Sequence, residues 1–520
     1  MTTAGGADRT TVSIITLGCG RNEVDSDQLA GLFQSAGVDV VDDPDGADVV
    51  LVNTCTFIAP AKQESIDTVL AACDLKDRGA TAVLVVGCMA ERYPHELADA
   101  IPEADAVIGF AAYPQLPGLI GDIMAGRPHD RVIGATVRQS VEASRLTLPV
   151  MATPVVARAA AAAAAAPWLA AVPERPADDR PEPTAQDELD RVPDTGPRFP
   201  VRRFDGRPWA YLKIASGCDR ACTFCAIPSF RGRFRSRTVD EILAEAAWLS
   251  EQGARELVLV SENTTSWGKD LEGWSGAPGG RGLQPRLLDE LSQVDGIDRL
   301  RLMYLQPAEL QPAMLEAIAE LPKVASYFDL SLQHVSAAVL QRMARSGSPE
   351  RFGALLDRIR ALDPNAAFRS NFILGFPGET EDDVRQLEDF LGEQRLDWVG
   401  LFTFSEEDGT PSATMPDQVA ASQALERLRR VADVQERIAD DLARGYVGRE
   451  LDVLVEEVEV HVGEVVTTIG RSYREAPDTD GEVRLVDGSG APVEIPVGRM
   501  VRAKVMDADG VDLVAQVAPQ

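Results

Sequence analysis

The chain has 520 residues, of which 45% are hydrophobic, and its 82 acidic and 51 basic residues give a net charge of −31 at pH 7. The length predicts two to four domains. The negative charge argues against binding to the phosphate backbone of a nucleic acid and favours a basic partner, although acidity can also serve solubility alone. Seven cysteines in so long a chain exclude a disulfide scaffold, and the lack of a ~20-residue apolar segment predicts a soluble, cytoplasmic protein without a membrane span.

Residues 10–127 alternate short apolar runs with amphipathic helical stretches. The runs VSIITLG, ADVVLVNT and TAVLVVG are strand candidates, and helical patterns such as DSDQLAGLFQSAG lie between them. This β-α-β order is typical of a parallel sheet in an open α/β domain.

Three cysteines of this region, Cys19, Cys55 and Cys88, each come directly after one of those strands. Because the carboxyl ends of parallel strands meet at one edge of a sheet, we expect the three thiols to lie together and to hold an iron-sulfur cluster. The alternative is three separate buried cysteines that act as small apolar residues. Cys73 lies on a predicted helix, and we expect it to be a buried cysteine of this kind.

Residues 137–203 are rich in alanine, proline and charge. Proline at this density prevents regular elements, and few apolar residues remain to offset the entropy lost on ordering. We expect a mobile linker or insertion here.

Residues 204–435 return to alternating strands and helices. The strand candidates are AYLKIAS, ELVLVS, LRLMYL, YFDLSLQH, FRSNFILGF and WVGLFTFS. The succession predicts a partial (β/α) barrel with its site at the carboxyl ends of the strands, and an open doubly wound sheet would place the site at the same edge. A long helix from about 422 to 446 follows, and a pattern of period two in 445–517 predicts a small antiparallel β-barrel.

The loop after AYLKIAS contains Cys218, Cys222 and Cys225 in a CxxxCxxC array, with no further cysteine or histidine nearby. A closed structural zinc site needs four protein ligands, so three thiolates suit an iron-sulfur cube whose fourth iron stays open. A zinc knuckle with a distant fourth ligand, or three unrelated core cysteines, are the alternatives.

Several motifs resemble one known family. The CxxxCxxC loop resembles the signature of the radical S-adenosylmethionine (SAM) enzymes. TLGCGRNEVDS, VNTCTFI and VGCMAERY are similar to the N-terminal domain of the methylthiotransferases, and SLQHVSAAVLQRMAR, FILGFPGETEDD and FTFSEEDGTPSA extend the similarity through the barrel. The tail resembles a TRAM domain. Only 137–203 departs from the family, which has a much shorter connection there.

The resemblance implies two [4Fe-4S] clusters, one held by each cysteine trio, with SAM at the open iron of the Cys218, Cys222 and Cys225 cluster. Phe224 matches the family pattern before the last cysteine. Glu262 is the candidate for holding the amino group of SAM, although a capping or turn role fits it equally well.

Four further features are open to more than one interpretation. Gly375 and Gly378 let the backbone approach a ligand, but a plain strand-to-helix turn also explains them. His334 lies at the end of a predicted strand, and for a lone histidine a hydrogen-bonded structural role is commoner than a catalytic one. The sequence does not identify any catalytic side chain. The arginines at alternate positions from 231 to 237 fit nucleic-acid contact or an internally paired loop equally well.

Within the family, the choice lies between a RimO-like branch, which modifies the β-carbon of an aspartate of ribosomal protein uS12, and a MiaB-like branch, which modifies tRNA adenosine. From position 445 onward there are 7 basic and 15 acidic residues, a net charge of −8, whereas an RNA-binding module is basic. We therefore favour uS12, free or on the small ribosomal subunit, as partner and expect no nucleic-acid substrate. The resemblance also implies an electron donor such as flavodoxin or ferredoxin. A zinc-stabilised binding module and an electron carrier are the alternatives from other classes.

Overall fold

The structure, a computed structural model, describes residues 9–135, 206–271, 282–460 and 466–518. The predicted linker at 137–203 lies outside the described residues. Within those ranges, no helix combines the length and the apolar character that crossing a membrane requires.

The N-terminal region forms a six-stranded parallel sheet with helices on its faces. The strands are β1 Thr11–Thr16, β2 Asp39–Val41, β3 Val49–Thr54, β4 Ala82–Val86, β5 Ala106–Ile108 and β6 Val132–Ile133, in the order β2-β1-β3-β4-β5-β6. The helices are α1 Gly20–Ser35, α2 Ala59–Cys73, α3 Gly87–Arg92, α4 Pro94–Ala100 and α5 Leu116–Met124. Every residue of β3 and β4 is buried, which explains why these central strands are continuous apolar runs.

The middle region contains six parallel strands in sequential order, with two short strands beside them. The strands are β7 Trp209–Lys213, β8 Ala215–Ser216, β9 Arg235–Ser236, β10 Glu256–Val260, β11 Arg299–Leu302, β12 Tyr327–Gln333, β13 Ala367–Leu374 and β14 Trp398–Thr403. The helices are α6 Ile227–Arg231, α7 Val239–Glu251, α8 Pro285–Ser292, α9 Pro312–Glu320, α10 Ala337–Arg342, α11 Pro349–Leu362, α12 Glu381–Gln394 and α13 Ala421–Arg444.

These parallel strands form two three-stranded sheets, β7-β10-β11 and β12-β13-β14. Isolated parallel bridges from Leu300 to Val324 and from Leu305 to Leu330 join them into one curved surface. The spatial order follows the chain without the reversal that marks a doubly wound sheet. The fold is therefore the expected partial barrel, open between β7 and β14.

The C-terminal region is a closed five-stranded barrel. Its strands are β15 Glu450–Val460, β16 Val466–Arg471, β17 Val483–Val486, β18 Met500–Asp509 and β19 Asp512–Val517, in the order β15-β16-β17-β19-β18. The pairing is antiparallel except between β17 and β19, which are parallel. After β17 the chain crosses to β18, which pairs with β15. A tight turn then reverses the chain into β19, which pairs with β18 on one side and lies parallel to β17 on the other.

The C-terminal barrel covers the amino ends of the parallel strands. Glu256, the first residue of β10, is buried between Arg301 at 2.7 Å and Arg471 of the C-terminal barrel at 3.2 Å. Asp480 accepts a hydrogen bond from the Tyr327 hydroxyl at 2.6 Å. The C-terminal barrel therefore leaves the opposite, carboxyl end of the strands available for the functional site.

The N-terminal region closes the side opening of the partial barrel. Helix α1 packs against the edge strand β7, where the Gly20 backbone lies so near the Tyr211 ring that a Cβ would approach it to 2.5 Å. At the other edge, Glu407 after β14 pairs with Lys62 at 2.8 Å and Arg92 at 2.7 Å. One region thus contacts both edges of the barrel.

Candidate functional site

The structure brings Cys19, Cys55 and Cys88 together, as the strand order predicts. Cys19 precedes α1, Cys55 follows β3, and Cys88 is the second residue of α3 after β4. All three are buried and line one cleft. Cys73, by contrast, packs in the apolar core beneath the sheet.

This cleft is formed by two regions of the chain. Its other lining residues include Arg21 and Phe57 from the N-terminal sheet, Glu262 after β10, and Phe230 and Arg231 from α6. Since α6 begins two residues after Cys225, the first cysteine trio faces the loop that carries the second.

The second trio lies in the loop between β8 and α6. Cys218 and Cys222 are buried and Cys225 is half-buried. The Cys218 amide donates to the Gly232 carbonyl at 3.0 Å, and the Cys225 amide donates to the Cys222 carbonyl at 3.2 Å. Backbone hydrogen bonds therefore fix the loop independently of the thiols.

Both trios fit the ligand set of an iron-sulfur cluster. Burial, together with the neighbouring thiol of Cys222, raises the pKa of Cys225 to about 12, and burial beside Cys88 and Cys19 raises the pKa of Cys55 further. Buried thiols of this kind lose their protons only when a cation compensates the charge, and the irons of a bound cluster would supply it.

A single-ion site does not fit as well. Across the part of the chain that the structure describes, no group of three or more histidine, cysteine, aspartate or glutamate side chains is arranged to hold a metal ion. Zinc needs its ligands converged on one point, whereas each thiolate of a cluster binds a different iron.

Two guanidinium groups donate to sulfurs of the first trio. Arg231 Nη2 lies 3.1 Å from Cys88 Sγ, and Arg21 Nε lies 3.4 Å from Cys19 Sγ. Such N–H···S hydrogen bonds stabilise thiolates and set the potential of a bound cluster.

Asp25 joins the two regions behind the first trio. Its carboxylate lies 2.9 Å from Arg231 Nη1 and 2.8 Å from Lys213 Nζ, and all three side chains are buried. Burial alone would raise the pKa of Asp25, but Arg231 and Lys213 outweigh it and lower the pKa. The charged carboxylate therefore fixes α1 to both β7 and α6.

An apolar cleft adjoins the first. It shares Phe57 with the first cleft and is lined by Phe224, Ile373, Phe402 and Phe404. The Phe224 ring, which the sequence singled out, also meets Phe376 edge to face at 6.4 Å. This cleft can accept a flat apolar group beside the Cys218, Cys222 and Cys225 loop.

Glu262 is almost fully buried and faces the first cleft, with Oε1 3.3 Å from Arg21 Nη1. The local turn instead uses Ser261, whose hydroxyl accepts a hydrogen bond from the Asn263 amide at 3.0 Å.

The two glycines lie outside both clefts, and His334 is buried. Gly375 and Gly378 have φ of 77° and 78° and are absent from the residues lining either cleft. A Cβ on Gly375 would lie 2.3 Å from the Ala424 Cβ of α13, so the turn and its packing account for that glycine. His334 is buried, accepts a hydrogen bond from the Ser336 amide at 2.9 Å, and lies 3.6 Å from Glu379.

The basic run is largely internal. Arg231 is buried, and Arg237 pairs with Glu245 at 2.6 Å, whereas Arg233 and Arg235 are exposed. Of the two open interpretations, intramolecular pairing describes Arg231 and Arg237.

The sequence did not single out Arg345, which is buried beside the second trio. Burial lowers the pKa of Arg345 to about 9, although the three cysteines oppose the shift, and its Nη1 has no hydrogen-bond partner among the described residues. No motif marks Arg345, because its partners come from other strands: the Ser331 carbonyl of β12 and Gln306 after β11.

Three family models match the chain. The model of Uncharacterized protein family UPF0004 matches residues 11–109, that of the Radical SAM superfamily matches 212–391, and that of the TRAM domain matches 447–518.

Two similar proteins illustrate the relationship to known sequences. The chain is 47% identical to "Ribosomal protein uS12 methylthiotransferase RimO" of Streptomyces coelicolor, over 97% of this chain and 96% of that protein. It is 44% identical to the protein of the same name from Cutibacterium acnes, over 98% of each. A solved structure of the radical S-adenosylmethionine methyltransferase TsrM from Kitasatospora setae, with cobalamin and a [4Fe-4S] cluster bound, aligns with a TM-score of 0.50 over 88% of this chain and 78% of that chain. At 14% identity, this likeness shows a shared fold.

Proposed function

Since the chain belongs to the RimO family of radical SAM methylthiotransferases, we propose that it transfers a methylthio group to the β-carbon of an aspartate of ribosomal protein uS12, free or on the small ribosomal subunit. The observation that carries this proposal is the cleft shared by both regions, with one cysteine trio in its wall and the loop of the other beside it. The names of the relatives support the choice of uS12.

Each trio would hold one [4Fe-4S] cluster with an open iron. When bound, the cluster at Cys218, Cys222 and Cys225 supplies the electron for SAM cleavage and hence for removal of an unactivated hydrogen, and the cluster at the other trio supplies a site for the sulfur to be transferred. We further propose that a small electron-transfer protein such as flavodoxin or ferredoxin provides the electron and that the enzyme acts in the cytoplasm.

Three side chains suit the parts of SAM. The aromatic cleft beside Phe224 matches the flat adenine ring. The buried carboxylate of Glu262 can accept hydrogen bonds from the amino group. Arg345, with an unmatched N–H beside the second trio, can pair with the carboxylate of SAM.

The N-terminal region excludes water from the reacting groups. It closes the opening between β7 and β14 through the Asp25 and Glu407 ion pairs. Closure protects a reactive intermediate from side reactions.

The charge of the TRAM domain supports a protein substrate over tRNA. Two of its seven cations, Arg471 and Arg474, are buried against the barrel, and Glu475 is the acidic residue buried with them. The exposed part is therefore acidic, which suits a basic ribosomal protein and repels phosphates.

The experiment is a count of iron and sulfide, together with product analysis, in anaerobically reconstituted protein. We expect about eight irons in the wild type, and about four in each of two triple Cys→Ala variants, one per trio. The variant lacking Cys218, Cys222 and Cys225 should lose formation of 5'-deoxyadenosine from SAM, whereas the variant lacking the other trio should retain it without methylthio transfer.

Cys73→Ala is the matched control, because Cys73 lies in the core away from both trios, and it should keep both clusters. About four irons in the wild type, or zinc in place of iron, would contradict the proposal.

A further inference from the structure

Arg21 is a buried cation with an unmatched donor at the cleft of the first cysteine trio. The residue is 4% exposed, and its Nε is already committed to Cys19 Sγ. Its Nη1 lies 3.3 Å from Glu262 Oε1, but the orientation makes no hydrogen bond. Among the described residues, Glu262 Oε2 likewise has no hydrogen-bond partner.

A buried ion pair of this kind is incomplete. Two charges removed from water are stable only when hydrogen bonds satisfy their remaining donors and acceptors. Here one N–H of Arg21 and one oxygen of Glu262 are unmatched, and both residues line the cleft. The pair therefore offers one donor, on Arg21, to an anion and one acceptor, on Glu262, to a cation.

The proposed reaction supplies the anion. The β-carbon of aspartate is bonded directly to its carboxyl carbon, so the carboxylate enters the cleft with the reacting atom. Burying it without a cation would be strongly unfavourable. A guanidinium N–H can donate a charge-assisted hydrogen bond to a carboxylate, and the unmatched Nη1 of Arg21 is such a donor.

The other arginines near the site are committed elsewhere. Arg231 contacts Asp25, Asn22, Cys88 Sγ and the ring of Phe110. Arg345 lies beside the opposite trio. Arg231 Nη1, like Arg21 Nη1, makes no hydrogen bond among the described residues, but it lies 2.9 Å from the Asp25 carboxylate, closer than Arg21 lies to Glu262. Arg21 is thus the less tightly paired of the two cations that line the first cleft.

Its surroundings hold Arg21 in place. The guanidinium lies 5.9 Å from the centre of the Tyr304 ring, and Tyr304 has a φ of 64°, a conformation that only a rigid setting maintains in a bulky residue. The Tyr304 amide donates to Asp329 Oδ2 at 2.9 Å, which fixes that backbone. Arg21 is therefore preorganised for a ligand.

From this geometry we infer that Arg21 binds the side-chain carboxylate of the target aspartate and makes the enzyme select aspartate over asparagine. The inference rests on the proposed function.

The test compares the binding of two proteins to the reconstituted enzyme with SAM: uS12, and uS12 with asparagine at the modified position. The wild type should bind the aspartate form roughly 10- to 100-fold more tightly. Arg21→Gln should bring the ratio of the two affinities close to one, and Arg21→Lys, which keeps the charge, should recover part of the preference. Arg9→Gln is the matched control, since it removes an exposed cation of the same region that pairs with Asp39.

Three other outcomes would contradict the inference, and each would point to a different reason. A preference for aspartate that persists in Arg21→Gln would remove Arg21 from the substrate site while leaving the proposed function intact. Loss of affinity for SAM in place of uS12 would assign Arg21 to the carboxylate of SAM. If the wild type neither binds nor modifies uS12, the proposed function fails and this inference fails with it.

Discussion

Asp25 is a single carboxylate that two cations from the barrel share. Replacing it by asparagine would remove the charge that Arg231 and Lys213 share, and removing one member of a buried ion pair commonly costs about 3–5 kcal/mol. We expect Asp25→Asn to lower the free energy of unfolding in urea by that amount.

Asp39→Asn is the control for that measurement. Asp39 forms an exposed pair with Arg9, and exposed pairs contribute about 1 kcal/mol or less. Equal losses in the two variants would show that the Asp25 pairs do not join the two regions.

Gly375 and Gly37 separate the effect of a backbone angle from that of a close contact. Both have positive φ, but a Cβ on Gly375 would meet Ala424 whereas a Cβ on Gly37 would meet nothing within 4 Å. We expect Gly37→Ala to cost about 1 kcal/mol and Gly375→Ala about 2–4 kcal/mol, because the second adds overpacking to strain. Thermal unfolding of both variants checks this, and a smaller loss for Gly375→Ala would exclude the contact with α13 as the reason for that glycine.

At the residue scale, the sequence revealed ligand candidates but not their partners. The CxxxCxxC spacing is a local pattern, and the positions of Cys19, Cys55 and Cys88 after strands follow from topology. Arg231, in contrast, belongs to a basic run for which the sequence left nucleic-acid contact and internal pairing equally open. Its burial depends on Asp25, which is distant in sequence, so no local pattern could distinguish it from the exposed Arg233.

Among the elements, the contact between the barrel and the TRAM domain depends on Glu256. Burial alone would raise the pKa of Glu256, but Arg471, Arg301 and Arg299 outweigh it and lower the pKa from 4.5 to about 2. A lowered pKa in the folded state adds stability at pH values above 4.5, and that stability is lost as the pH falls toward 2. The shift corresponds to about 3 kcal/mol.

We therefore expect Glu256→Gln to be less stable than the wild type at pH 7, with a difference that shrinks as the pH falls from 4.5 toward 2. Unfolding in urea across this range measures it. Glu450→Gln is the control, because Glu450 pairs with Arg502 on the exposed face of the same C-terminal barrel. A difference that stays constant with pH would contradict the role given to the Glu256 charge.

Element prediction succeeded where burial is continuous. Strands β10 to β13 are buried at nearly every position, and each prediction from ELVLVS to WVGLFTFS corresponds to a strand. In the C-terminal barrel, β16 and β19 were not predicted separately. The VTTIGR run of β16 lacks a clear alternation, and β19 follows β18 after a two-residue turn, so the two strands resemble one continuous pattern.

For the whole molecule, the net charge of −31 should influence how it meets a basic protein. Long-range attraction accelerates encounter and is screened by salt. We expect the association rate with uS12 to fall by roughly tenfold or more between about 0.05 M and about 0.5 M NaCl. Sucrose of equal osmolality is the control, and a rate that does not change with salt would contradict an electrostatic contribution.

The central claim is that both cysteine trios serve one reaction on uS12. The most direct measurement is mass spectrometry of purified uS12 after incubation with the reconstituted enzyme, SAM and a reductant, with tRNA treated in parallel. We predict that one aspartate of uS12 gains a methylthio group in place of a hydrogen on its β-carbon and that tRNA is unchanged. A methylthio group on tRNA adenosine, with uS12 unmodified, would contradict the account.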